Sequence, residues 1–194
     1  NKDDPYNTGF AYKYEITNNK IKKKGFVLKD ILINSLKKKK NFIEFVNILL
    51  KSLIYYYFRL RLIQSYKKYV TKNISFKKDY VYFPLSFQPE AGSIPLGGDF
   101  ASHEIVISML SRSIPKNWKI YIKEHPTHLL SSIYINSLKF RHPVFYKNIK
   151  RYKNVEIVPE NITSFQLIDN AKCVAGHAGH PGIETIVREK QYLL

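Results

Sequence analysis

The chain has 194 residues, a net charge of +17 and a single cysteine. That length suits one domain, or one domain with an appendage; one cysteine excludes an internal disulfide and fits a reducing compartment. The most apolar window, 42–63, is broken by Glu44, Asn47, Lys51, Arg59 and Arg61, too many polar groups for a bilayer span.

Residues 1–25 are polar, rich in Asn and Lys, and have little periodicity. From about Val27 to Val70, apolar residues such as Leu28, Ile31, Leu32, Phe42, Phe45, Val46, Leu49, Leu50 and Leu53 recur at steps of three and four, which predicts helix. The run Ile54-Tyr55-Tyr56-Tyr57-Phe58 spreads aromatics around most of that helix, so a partner is expected: protein, or alternatively a membrane surface. Residues 1–78 carry 19 Lys/Arg against five Asp/Glu, a balance of +14, whereas 79–194 carry 13 against ten, only +3. The basic runs at 22–24 and 37–40 can meet anionic lipid, nucleic acid or an acidic polymer; a solvated lysine-rich surface accounts for them equally well.

After Asp79 the pattern changes. Short apolar runs at 80–85, 118–123, 155–158, 172–175 and 191–194 predict strands, and helical spacing marks 103–113, 143–152, 164–170 and 182–189. Asp99 or Ser102 is placed to cap the first of these helices. Such alternation implies an α/β fold: a Rossmann-like parallel sheet with helices on both faces. The expected division is therefore a basic, mainly helical segment over 1–78 and a Rossmann-like domain over 79–194. The chain opens without Met and ends as a strand forms, and a piece of a longer protein is expected.

Ligands of open parallel sheets bind outside the carboxyl ends of the strands, and three loops there carry chemistry. Ser86-Phe87-Gln88-Pro89-Glu90 sets Gln88 and Glu90 about a proline; Glu90 can accept from sugar hydroxyls, act as a base, or merely cap the next helix. Lys123-Glu124-His125-Pro126 closes the second strand, where His125 can donate to a phosphate oxygen or protonate it as a leaving group departs. Gly176-His177-Ala178-Gly179-His180-Pro181-Gly182 joins strand to helix. Its glycines allow close approach of phosphate to backbone and helix N-terminus, and Glu184, expected in the first helical turn, would face a ribose. A plain turn is the alternative. No metal is expected, because His177 and His180 in a flexible loop do not fix two rings on one ion and no Cys or Asp stands near. There is no Gly-x-Ser-x-Gly, Walker or Gly-x-Gly-x-x-Gly pattern. Nucleic acid is not an expected partner, since the tyrosines at 55–57 read as packing.

Tyr82-Phe83-Pro84-Leu85-Ser86-Phe87-Gln88-Pro89-Glu90, Pro95-Leu96-Gly97-Gly98, Lys123-Glu124-His125-Pro126 and the glycine loop together resemble the bacterial capsular polysaccharide synthesis proteins, which include retaining Kdo transferases. The resemblance covers 79–194. It implies the C-terminal, donor-binding half of a two-domain GT-B glycosyltransferase, with 27–78 as the connection from a missing N-terminal acceptor domain. It further implies a CMP-linked sugar such as CMP-Kdo as donor, a glycan or lipid-linked acceptor, and no separate cofactor. On the same basis His125 and Glu90 are the expected catalytic residues. Gln88, Lys123, Glu124, Pro126, Ser164, Gly176, His177, Gly179 and Glu184 are expected to bind substrate, with Ser164 reaching phosphate or ribose. The family's glycine loop reads closer to Gly-Thr-x-Gly; here His177 stands in place of Thr. The expected location is cytoplasmic, with peripheral contact to anionic membrane at its inner face. Two other readings are a CDP-glycerol-type polymer transferase and a non-catalytic module that binds membrane or polyanion through the basic segment.

Overall fold

Every side chain of Tyr80-Val81-Tyr82-Phe83-Pro84 is apolar or aromatic, as a strand covered on both faces requires. The computed structural model describes residues 42–89, 94, 97–125, 128, 129, 140–176 and 180–193, with backbone alone for 42–45, 48, 52 and 180. The two basic runs and the predicted helix before 42 lie outside them.

The chain forms two compact units, Asn1–Tyr57 and Phe58–Leu194. The described part of the first is all helix, the beginning of α1 (Phe42–Tyr69). The second holds the end of α1 and a five-stranded, wholly parallel sheet. Its strands are β1 (Tyr80–Pro84), β2 (Lys119–Lys123), β3 (Val155–Val158), β4 (Cys173–Ala175) and β5 (Gln191–Leu193), in spatial order β3-β2-β1-β4-β5. A short 3₁₀ turn (Gly98–Ala101), α2 (His103–Ser113), α3 (Phe145–Ile149), α4 (Ser164–Asn170) and α5 (His180–Val187) connect them. The register is set by pairs such as Tyr82 with Tyr121, Ile122 with Ile157, and Val174 with Tyr192.

Side-chain alternation along β1 divides the core in two. Val81, Phe83 and Leu85 join Ile120, Ile122, Val155 and Ile157 on one face, beneath Leu62 and Tyr66 of α1, Ile107 of α2, and Phe145, Tyr146 and Ile149 of α3. Tyr80, Tyr82 and Tyr121 point to the other face with Val158 and Val174, and there meet Leu167 and Ile168 of α4. From α1 it is Leu62 and Tyr66 that pack here; of the aromatic run before them, Ile54, Tyr57 and Phe58 are exposed. Three buried phenols are satisfied on backbone oxygens: Tyr66 on Val158 at 3.2 Å, Tyr80 on Leu167 at 2.7 Å and Tyr121 on Ser75 at 2.5 Å. Among the described residues, no helix is long and apolar enough to cross a membrane.

Two local expectations change. Ser102 takes the N-cap position of α2 but makes no side-chain capping bond. α5 begins at His180 rather than Gly182, so Glu184 lies beyond the first turn. Proline suits a first helical turn because its missing N–H has no bond to make there, and Pro181 extends the helix back accordingly. α4, by contrast, is closed by a full capping box: Gln166 N–H donates to Thr163 Oγ1 at 3.1 Å and Thr163 N–H to Gln166 Oε1 at 3.0 Å.

Candidate active site

All strands being parallel, their carboxyl ends share one edge. The strand order reverses between β1 and β4, which opens a crevice there. The loops after β1 and β4 border it, and the loop after β2 lies beside them. Of the residues expected to act, Glu90, Pro126, His177 and Gly179 lie outside the described residues.

Gln88 is buried, and its side-chain amide donates to the Ala101 carbonyl at 2.6 Å. Its backbone N–H donates to His128 Nε2 at 3.1 Å. A ring nitrogen that accepts cannot carry the proton, so His128 is neutral and protonated on Nδ1. That nitrogen turns toward the Ser86 carbonyl, too loosely to count as a hydrogen bond. Ser86 Oγ lies 3.0 Å from His103 Nε2, and His103 Nδ1 lies 3.1 Å from Arg141 Nη2. Arginine only donates, so Nδ1 accepts and Nε2–H donates to Ser86.

At the end of β2, Glu124 is 3% exposed. Its Oε1 accepts from the His125 backbone N–H at 2.8 Å and its Oε2 from the Tyr146 hydroxyl at 2.6 Å. Arg141 Nε stands 2.8 Å from Oε2 as an ion pair whose N–H is not aligned on the oxygen. The Arg141 guanidinium lies 4.1 Å over the Phe145 ring and is wholly buried, with Nη1 lacking a hydrogen-bond partner. Both Glu124 oxygens therefore face protein donors.

His125 is half-buried, with its ring 5.7 Å from that of Phe87. Burial, and then the positive charge of Arg141, hold its pKa down at about 4. His128 is lowered further for the same reasons, with His125 as an added cause. At neutral pH the two rings are uncharged. Lys123, half-buried, donates through Nζ to the Ile162 carbonyl.

Ser164 opens α4, and its Oγ accepts from the Tyr82 hydroxyl at 3.3 Å. Burial pushes the Tyr82 phenol upward; the Ser164 bond works against this, and the Glu184 carboxylate adds to it. Ser164 and Tyr82 thus meet with the Glu184 charge near them, while Gln88, His125 and His128 gather about Phe87. Among the described residues no three His, Cys, Asp or Glu side chains group to hold a metal.

Tyr192 of β5 accounts for two glycines of the loop. A Cβ on Gly176 would lie 2.7 Å from Tyr192 Oη, and one on Gly182 would lie 3.1 Å from the ring. The Tyr192 hydroxyl is buried without a partner, which costs free energy. Tyr192→Phe is expected to leave thermal stability unchanged or raise it by about 1 kcal/mol; calorimetric melting of the variant tests this, and a clear loss would mean the hydroxyl is bonded.

His103, His128, Arg141 and Tyr146 were not read from the sequence. The only local signal was the i, i+3 spacing in His125-Pro126-Thr127-His128.

The fold is α/β and Rossmann-like, with its polar clusters gathered at the carboxyl edge of the sheet. No family model and no curated protein matches the chain. Among solved structures it is similar to Thermosulfurimonas dismutans KpsC, beta Kdo 2,7 transferase, at 14% identity and a TM-score of 0.45, over 85% of this chain. The chain spans 45% of that protein's length.

Proposed function

We propose that this chain is the donor-binding half of a glycosyltransferase of capsule or surface-polysaccharide assembly, taking a CMP-activated sugar such as CMP-Kdo. One observation carries the reading: a half-buried histidine, uncharged at neutral pH and beside a buried arginine, sits where β2 opens toward the switch-point crevice. A neutral imidazole can donate one N–H to a phosphate oxygen. As negative charge gathers on the departing phosphate, His125 becomes more basic and can take up a proton from solvent, so that imidazolium meets the new charge. Ser164 and the N-terminal end of α5 would lie along the rest of the donor, with Gln88 and Glu90 at the sugar. Transfer would go to a glycan or lipid-linked acceptor brought by a second domain, at the cytoplasmic side of the membrane.

Calorimetric titration of CMP, with UDP as control, tests the reading. Selective CMP binding is expected, weakened about 10- to 100-fold in His125→Ala, the worth of one charge-assisted hydrogen bond. Equal binding of CMP by the folded variant would remove His125 from the donor site, and no binding by the wild type would defeat the reading. Offering CMP-Kdo beside CDP-glycerol to the whole enzyme separates the sugar transferase from the polymer transferase.

A further inference from the structure

Among the described residues, the loops after β1 and β2 share no backbone-to-backbone hydrogen bond beyond Leu85 N–H on the Lys123 carbonyl at 2.9 Å. Further out, Gln88 N–H meets His128 Nε2 and Phe87 lies against the His125 and His128 rings, and a side chain from outside both loops ties them a second time. Arg141 reaches His103 through Nη2 and Glu124 through Nε. His103 in turn holds Ser86 of the first loop, and Glu124 holds the backbone N–H of His125 in the second. We propose that Arg141 is a positioning residue that sets the Ser86–Gln88 loop and the His125 loop in register, through His103 on one side and Glu124 on the other.

Three features favour a positioning role over packing alone. Arginine is fully buried here, which costs far more than burying an apolar side chain of similar volume. The planar guanidinium is fixed by stacking on Phe145, so its nitrogens keep set directions; lysine, a point charge on a flexible stem, cannot serve two partners in this way. Finally, the contact with His103 fixes a proton as well as a distance. Arg141 obliges His103 to accept on Nδ1 and so to donate from Nε2 to Ser86. The significance of the register for ligand binding rests on the donor-site reading above, but the coupling itself does not.

The test is nitrogen NMR of the six histidine side chains, assigned by single His→Gln variants, in wild type, Arg141→Met and Arg141→Lys. In the wild type His103 is expected as the Nε2–H form and His128 as the Nδ1–H form. In Arg141→Met, His103 should lose its fixed tautomer and the His125 titration should rise from about 4. If Arg141→Met does not fold, Arg141→Lys decides: it retains the charge, so His103 alone should lose its fixed form, and CMP affinity should fall about tenfold. A folded Arg141→Lys protein with a wild-type His103 signal would overturn the proposal. Wild type that binds no CMP but shows the His103 change defeats the donor-site reading and leaves the coupling standing. Undiminished CMP binding with an unmoved His103 does the reverse.

Discussion

Glu124→Ala is expected to cost about 3–5 kcal/mol of unfolding free energy, the usual penalty for removing one partner of a buried ion pair. Arg141, with no exposed surface, would retain its charge without the carboxylate 2.8 Å away. The Tyr146 hydroxyl and the His125 N–H would lose their acceptor as well. Such a loss is comparable with the whole stability of many domains, about 5–15 kcal/mol, so the variant should be largely unfolded at modest denaturant. Glu124→Gln retains an oxygen for the His125 N–H and removes the charge; its cost should fall between wild type and Glu124→Ala. Urea unfolding of the three proteins decides the matter. A Glu124→Ala midpoint close to wild type would mean that Glu124 is not the anchor its contacts describe.

Much of the fold was legible because each strand writes itself locally. Apolar runs bounded by polar turns gave all five strands to within a residue at each end, and the spacing of Ile105, Val106, Met109 and Leu110 gave α2 at its observed bounds. The capping pair Thr163 and Gln166 marks the start of α4 in the same local way. α3 is shorter than its pattern: it ends at Ile149, where Lys150 turns back to Val155 and Glu156, and Tyr152 packs on the core from beyond the helix. The buried network could not be read so. His103 and Arg141 are 38 positions apart, and no period or spacing links residues that meet only once the sheet has formed. The two Gly–Tyr192 contacts are of the same kind: the glycines were visible as glycines, but their neighbour comes from another strand.

Stability is expected to fall on acidification through the pH range of His125. Its folded pKa, about 4, lies below the ordinary value of 6.5 because burial, and then Arg141, disfavour the charged ring. The unfolded chain therefore takes up the proton first. The contribution is fully present above pH 6.5 and is lost as pH falls from 6.5 to 4. At about 1.4 kcal/mol per pH unit, the loss from this one group is about 3 kcal/mol. His128, lowered by burial, Arg141 and His125, acts in the same direction, so the wild-type decline should be steeper than His125 alone gives. Unfolding free energies at pH 7 and 4.5 should thus differ less in His125→Gln than in wild type, and equal differences would show that His125 is not held neutral. The same linkage gives binding a sign. An anion beside the ring favours imidazolium and raises the His125 pKa, so a phosphate-bearing ligand should bind with proton uptake, more tightly at pH 5.5 than at 7.5. Titrating CMP in two buffers of different ionisation enthalpy reads the net exchange, and His125→Gln reports the part owed to the CMP phosphate, whose own pKa is about 6; equal exchange in wild type and His125→Gln at pH 5.5 would place the phosphate away from His125.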